Sequence, residues 1–196
     1  MRRLIADEWL SLDGVAQAPG EPDEDRSGGF EHGGWHMQYV DEAFQTWMLE
    51  NLTKAGGFVF GRRTYESFAG HWPNASEEEQ VIADPLNNLP KYVASTTLAD
   101  PLAWQNSTVL KGDVFEAVQE LKGAQGDDLH VIGSTELVRA LLGHGLVDEL
   151  RVIIDPVLLG GGTRIFSGDG EIRRLKLMNS EVTSKGAIIA TYALEG

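Results

Sequence analysis

The sequence predicts an α/β fold: a mainly parallel central sheet flanked by helices, finished by an antiparallel C-terminal strand pair. Three observations carry that expectation. Short runs of β-branched, aromatic and aliphatic residues alternate with stretches of helical periodicity along most of the chain. Two of those runs break at Gly61 and at Gly133 straight into helix starts, as a strand does when it feeds a crossover helix. Residues 172–194 read instead as two strands turning at Lys185-Gly186, with no helix between them.

Each element follows from its own residues. Residues 2–10 form a first strand that ends at Ser11-Leu12-Asp13-Gly14. From Gln17 to His36, Pro19, Gly20, Pro22, Gly28, Gly29, Gly33 and Gly34 mix with acids, a composition that predicts a long loop. A loop of that length inside a domain is expected to be a lid or a binding loop, and Phe30, Trp35, His36 and Met37 give it something to pack. Phe44, Trp47, Met48 and Leu52 at helical spacing predict a helix over 41–54, with Asp41 and Glu42 in its first turn. A strand at 57–60 and a helix at 63–69 follow, then a polar excursion from His71 to Asn88 with a short helix at 76–83. Residues 92–95 and 107–110 read as strands, and Asp113 caps a helix through Leu121. Leu129-His130-Val131-Ile132 is a buried-type strand, and Ser134 or Thr135 caps the helix 136–142. A strand at 150–154 and a tight turn at Gly160-Gly161-Gly162 lead to the final pair. With neither an internal repeat nor a linker, residues 1–196 are expected to form a single domain.

Composition excludes several function classes. The net charge of -14 repels nucleic acid and anionic membrane, and no basic stripe offsets it. No cysteine is present, which removes disulfides, thiolate catalysis and Cys-bound zinc. Of the five histidines only His32 and His36 have i, i+4 spacing, and they sit in a Gly-rich loop where helical spacing means little, so no metal site is expected. No signal-like core follows Met1 and no run reaches membrane-span length, so a cytoplasmic protein is expected.

The residues that carry chemistry lie at the two strand-to-helix junctions. Gly61-Arg62-Arg63-Thr64-Tyr65-Glu66 gathers two cations, a hydroxyl and free backbone N–H groups at a helix start, a combination that suits a phosphate-bearing ligand. Gly133-Ser134-Thr135 opens the second helix in the same way, with Glu136 next in line. Ligands of open α/β sheets bind at the carboxyl ends of the strands, where both junctions fall.

These motifs resemble the dihydrofolate reductase-like superfamily. Gly61-Arg62-Arg63-Thr64-Tyr65 is similar to its cofactor-phosphate motif, and Val131-Ile132-Gly133-Ser134 to its second glycine site. The stretches Leu146-Val147-Asp148-Glu149-Leu150, Pro156-Val157-Leu158-Leu159-Gly160-Gly161-Gly162 and Ile165-Phe166 resemble more closely the reductase domain of the bifunctional riboflavin-biosynthesis deaminase-reductases, as does Ser11-Leu12-Asp13-Gly14. The resemblance spans nearly the whole chain, with the motifs in register. It implies the dihydrofolate reductase-type fold and hydride transfer from NADPH to a small heterocyclic or carbonyl-like substrate. It further implies a homodimer, and no deaminase partner domain accompanies the reductase-like stretch, so a complete bifunctional role is not expected.

Under that resemblance Gly61, Arg62, Arg63, Thr64, Gly133, Ser134, Thr135 and Glu136 face the cofactor's phosphates, and Ser95 and Thr96 lie beside the adenosine ribose. Two arginines favour NADPH over NADH, because the extra phosphate needs a cationic partner. Phe44 and Trp47 would face the substrate. Folate reductases place a carboxylate on the first helix, but the family spacing lands here near Phe44 and Gln45, neither of them acidic. Asp13 is the residue named for the acid's role, with a plain turn residue before Gly14 as the competing reading. A non-catalytic nucleotide-binding or dimeric scaffold that keeps the fold is the alternative to a reductase.

Overall fold

The computed structural model describes residues 1–166 and 168–195. Eight strands among them form one sheet: β1 (Leu4–Ser11), β2 (Gly57–Gly61), β3 (Lys91–Ala94), β4 (Ser107–Val109), β5 (Leu129–Ile132), β6 (Glu149–Asp155), β7 (Leu175–Val182) and β8 (Ile188–Leu194). Their spatial order is β4-β3-β2-β5-β1-β6-β8-β7. The first six run parallel, β8 pairs antiparallel with β6, and β7 antiparallel with β8. The expected architecture is therefore present, and β1 sits in its interior, between β5 and β6.

Five α-helices cover the two faces: α1 (Glu42–Lys54), α2 (Arg62–His71), α3 (Gln80–Asn88), α4 (Val114–Gly123) and α5 (Thr135–Gly143). On one face Leu4, Ala6, Leu10, Val59, Val131 and Leu150 pack against Val118 of α4 and Val138 and Leu141 of α5. On the other face Phe58, Phe60, Val93 and Ile132 meet Leu52 of α1, Tyr65 of α2 and Leu86 of α3. Burial on both faces is why the central strands read as nearly continuous apolar runs.

The helix starts differ in a way that matters below. Asp41 accepts from the Phe44 N–H at 3.0 Å and caps α1, and Asp113 accepts from the Phe115 and Glu116 N–H groups and caps α4. No side chain among the described residues caps α2 or α5. The short helix expected at 76–83 is displaced: a 3-10 turn at Glu77–Glu79 leads into α3, which runs on to Asn88 with Pro85 inside it. Apolar burial of Ala83 and Leu86 on the α3 face outweighs the local proline signal.

Candidate functional site

The two glycine junctions meet at the carboxyl end of the sheet. β2 and β5 are neighbours, so the turns after them lie side by side. The Gly61 N–H donates to Ser134 Oγ at 3.0 Å, and a side chain at Gly133 would face Thr64 Cγ2 at 3.9 Å. Gly133 and Ser134 both have positive φ, 58° and 59°, and the Gly133–Ser134 peptide is trans. A serine held there is strained by ~1–2 kcal/mol. The expectation that Ser134 caps α5 is corrected: it occupies the cap position, but its left-handed backbone turns the hydroxyl away from the helix and onto Gly61.

The start of α2 carries both arginines, exposed. Arg62 pairs with Glu66 at 2.9 Å one turn along the helix, whereas Arg63 has no ion-pair partner among the described residues. Gly61 is level with Ala94, so Ser95 lies just beyond the same sheet edge. Its Oγ accepts from the Thr97 and Leu98 N–H groups, a turn that leaves Thr96 exposed beside it. Thr135 begins α5, and Glu136 is an exposed acid in its first turn. The structure thus brings Gly61, Thr64, Gly133 and Ser134 together, with Arg63 next to Thr64 in the chain and Ser95 and Thr96 following the neighbouring strand β3.

Asp13 lies elsewhere, on the loop after β1. Its carboxylate accepts from Ser11 Oγ at 2.7 Å, from the Leu159 N–H at 3.1 Å and from the Gly160 N–H at 2.9 Å, and Arg164 lies 3.3 Å away. The Ser11 hydroxyl and the two amides lower its pKa to about 2. Its geometry is that of a clasp between two loops. Gly162 in the second loop has φ of 110° and no room for a Cβ, which would sit 2.8 Å from Val15 and 2.9 Å from Phe30.

The long loop is packed down. Phe30 and Trp35 are buried with Val15 and Ala18, against Trp9 and Leu159. His36 Nδ1 lies 2.7 Å from Asp155 Oδ2 at the end of β6, with both residues buried. Burial pushes the Asp155 carboxyl up, and the hydrogen bond from His36 only partly offsets it. Between the loop and residues 159–163 a cavity of about 460 Å³ is lined by Gln17, Ser27, Phe30, His32 and Thr163 among others.

The α1 side of β1 holds the groups that sequence reasoning missed. Alternation along β1 puts Asp7 and Trp9 under α1 and Glu8 on the opposite face. Asp7 Oδ2 lies 2.6 Å from His130 Nδ1 on β5, both nearly inaccessible to solvent. Asp7, His130, Trp9, Ile132, Trp47, Met48, Asn51 and Leu52 line one small cleft. Phe44 is buried against His36 and Ile153, so of the two aromatic residues expected to face the substrate only Trp47 lines this cleft. Glu8 is fully buried among apolar residues, where burial and the neighbouring Asp7 push its carboxyl well up. The missed signal was two acids and a histidine inside runs otherwise apolar enough to be buried strands.

Comparisons with known proteins agree with this architecture. The model of the RibD C-terminal domain family matches residues 2–189. The uncharacterised protein YyaP of Bacillus subtilis (strain 168) is 27% identical over 199 residues, a match that takes in 100% of this chain and 96% of that protein. A crystal structure of a candidate riboflavin biosynthesis protein from Shewanella sp. PV-4 superposes with a TM-score of 0.69 at 21% identity, covering 99% of each chain. A pyrimidine reductase-like protein from Corynebacterium diphtheriae superposes with a TM-score of 0.63 at 14% identity, over 100% of this chain and 92% of that one.

Proposed function

The chain belongs to the RibD C-terminal domain family, and from that premise we propose that it is an NADPH-dependent reductase of a small heterocyclic or carbonyl-like substrate. The observation that carries the reading is the adjoining pair of uncapped helix starts; α3 has no side-chain cap either, but it continues directly from the 3-10 turn at Glu77–Glu79. α1 and α4 each have an aspartate on their first amides; α2 and α5 have none, and these are the two helices whose starts adjoin. The first amides of a helix lack partners within it and favour anions. A dinucleotide's pyrophosphate is a dianion of the right size to serve both. When bound, NADPH supplies the hydride.

In this reading the chain's own residues position and select. Thr64 and the first amides of α2 and α5, with Gly61, Gly133, Ser134 and Thr135, take the pyrophosphate. The unpaired Arg63 takes the 2′-phosphate, beside Ser95 and Thr96, and Arg62 adds charge at the cost of its pair with Glu66. Glu136 opposes an anion through its side chain and contributes only its backbone N–H. Asp13 holds the two loops that border the substrate end, and Phe44 packs behind the Trp47 wall.

The protein is also proposed to act as a homodimer in the cytoplasm. β7 is exposed along all eight residues and ends the sheet, and Leu177, Met178 and Val182 stand out from it. An unpaired apolar edge strand calls for a partner. No helix among the described residues is long and apolar enough to cross a membrane.

Fluorescence titration with NADPH and NADH, followed by NADPH oxidation with pyrimidine ribosides and pterins, tests the reading. Saturable NADPH binding with turnover of one of these substrates is expected. Tight NADPH binding without turnover of any would favour the nucleotide-binding alternative, and no NADPH binding would overturn the reductase reading and leave the dimeric scaffold.

A further inference from the structure

Four buried polar atoms on the α1 side of the sheet lack hydrogen-bond partners among the described residues: Asp7 Oδ1, Asn51 Nδ2, His36 Nε2 and Asp155 Oδ1. A buried polar group left without a partner is destabilising, so a ligand that supplies the partner is favoured. Two of them, the Asp7 acceptor and the Asn51 donor, belong to residues that line the same cleft.

Both groups are oriented by neighbours that do not use the free atom. His130 holds Asp7 by the other carboxylate oxygen. Arg151 donates to Asn51 Oδ1, Glu149 accepts from Arg151 Nε at 2.6 Å, and Arg3 donates to Glu149 at 2.8 Å. That chain of ion pairs fixes the amide and leaves Nδ2 as its free group. Trp9 and Trp47 supply the rest of the wall, ring centres 6.4 Å apart and planes at 80°.

Resting on the reductase reading, we propose that Asp7 and Asn51 are the specificity-determining pair of the substrate cleft, and that they recognise the edge of a planar heterocycle presenting a ring N–H beside a carbonyl oxygen. Asp7 Oδ1 accepts from the N–H, and Asn51 Nδ2 donates to the carbonyl. His130, against the other carboxylate oxygen, is the positioning residue of Asp7. The closed cleft has space of about 10 Å³, roughly one water, so Trp47 and Met48, both half-buried on α1, swing outward to admit a ring.

Calorimetric titration of the NADP⁺-saturated protein with isocytosine, and with isocytosine methylated at the ring nitrogen, is the test. Isocytosine is expected to bind and the methylated form to bind at least ~10-fold more weakly, since a site built around a hydrogen bond rejects an analogue that lacks it. Asp7→Asn and Asn51→Leu should each weaken isocytosine at least ~10-fold while leaving NADP⁺ affinity within about twofold. If Asp7→Asn fails to fold, Asn51→Leu decides, because Asn51 is only half-buried on α1. Equal affinity for the two probes, unchanged affinity in the variants, or no isocytosine binding by the unmutated protein overturns the proposal. If the unmutated protein does not take NADP⁺ but isocytosine behaves as expected, the cofactor reading falls and the cleft assignment stands.

Discussion

At the scale of single residues the two arginines of α2 separate. Arg62 is engaged by Glu66, while Arg63 has no counter-charge among the described residues. Arg63→Ala is therefore expected to remove most of a preference for NADPH over NADH, ~1–3 kcal/mol for charge-assisted contacts, and Arg62→Ala to remove less. Paired titrations with the two nucleotides read this directly; equal loss in both variants would refute the distinction. Glu8 gives a second expectation. Its carboxyl is pushed well up in the folded chain, so between the unfolded and folded pKa values the native state holds the extra proton. Stability is then lost as pH rises through that window, at ~1.4 kcal/mol per unit of displacement. Glu8→Gln should raise the melting temperature above about pH 5, where an unfolded glutamate ionises, with a gap that widens toward alkaline pH. A gap that stays constant across that range would show that Glu8 does not titrate with folding.

At the scale of elements the edge strand and the long loop carry the consequences. Leu177 and Val182 on β7 are 52% and 69% exposed, and replacing both with glutamate would put like charges at the proposed dimer edge. Sedimentation should find the unmutated protein dimeric and the double variant monomeric. The loop is held by apolar burial of Phe30 and Trp35, by the His36–Asp155 pair and by the tight approach at Gly162. Gly162→Ala forces a Cβ into Val15 and Phe30 and should cost ~1–3 kcal/mol, with faster hydrogen exchange confined to residues 20–36 and the loop around Gly162. The alternating apolar runs made most elements legible to within two residues, because buried parallel strands and amphipathic helices print their periodicity directly. α3 was less legible, since Pro85 and the acids before it give a local signal that tertiary burial overrides. The junction at Gly61 and Gly133 was legible from its glycines, but the Ser134–Gly61 hydrogen bond was not, because a left-handed serine leaves no trace in composition. The Asp7–His130 pair joins residues 123 apart, and only the parallel pairing of β1 with β5 makes them neighbours.

At the scale of the whole molecule the order of strands is not the order of the chain. β1 pairs with β5 and β6 and with no earlier strand. A fragment ending at residue 128 therefore retains β2, β3 and β4 but leaves β1 without a partner. It should show no cooperative melting transition and no dispersed amide spectrum, and a folded fragment would mean that the half-sheet β2-β3-β4 is stable alone. The acidic surface adds its own constraint: with a net charge of -14, the proposed phosphate-bearing cofactor has to be met by local positive charge, which the helix starts and Arg63 are expected to supply.

The central place of β1 sets a clock on synthesis. Arg3 waits 125 residues for Asp128, its first contact across the sheet. At ~5–20 residues per second the ribosome takes roughly 6–25 seconds to deliver that partner. During that interval the apolar residues Leu4, Ile5, Ala6, Trp9 and Leu10 have left the exit tunnel with no strand to join. The two acids in their midst, Asp7 and Glu8, interrupt what would otherwise be an unbroken sticky segment. The carboxylates that are costly once buried thus keep the nascent chain soluble until the sheet can close around it.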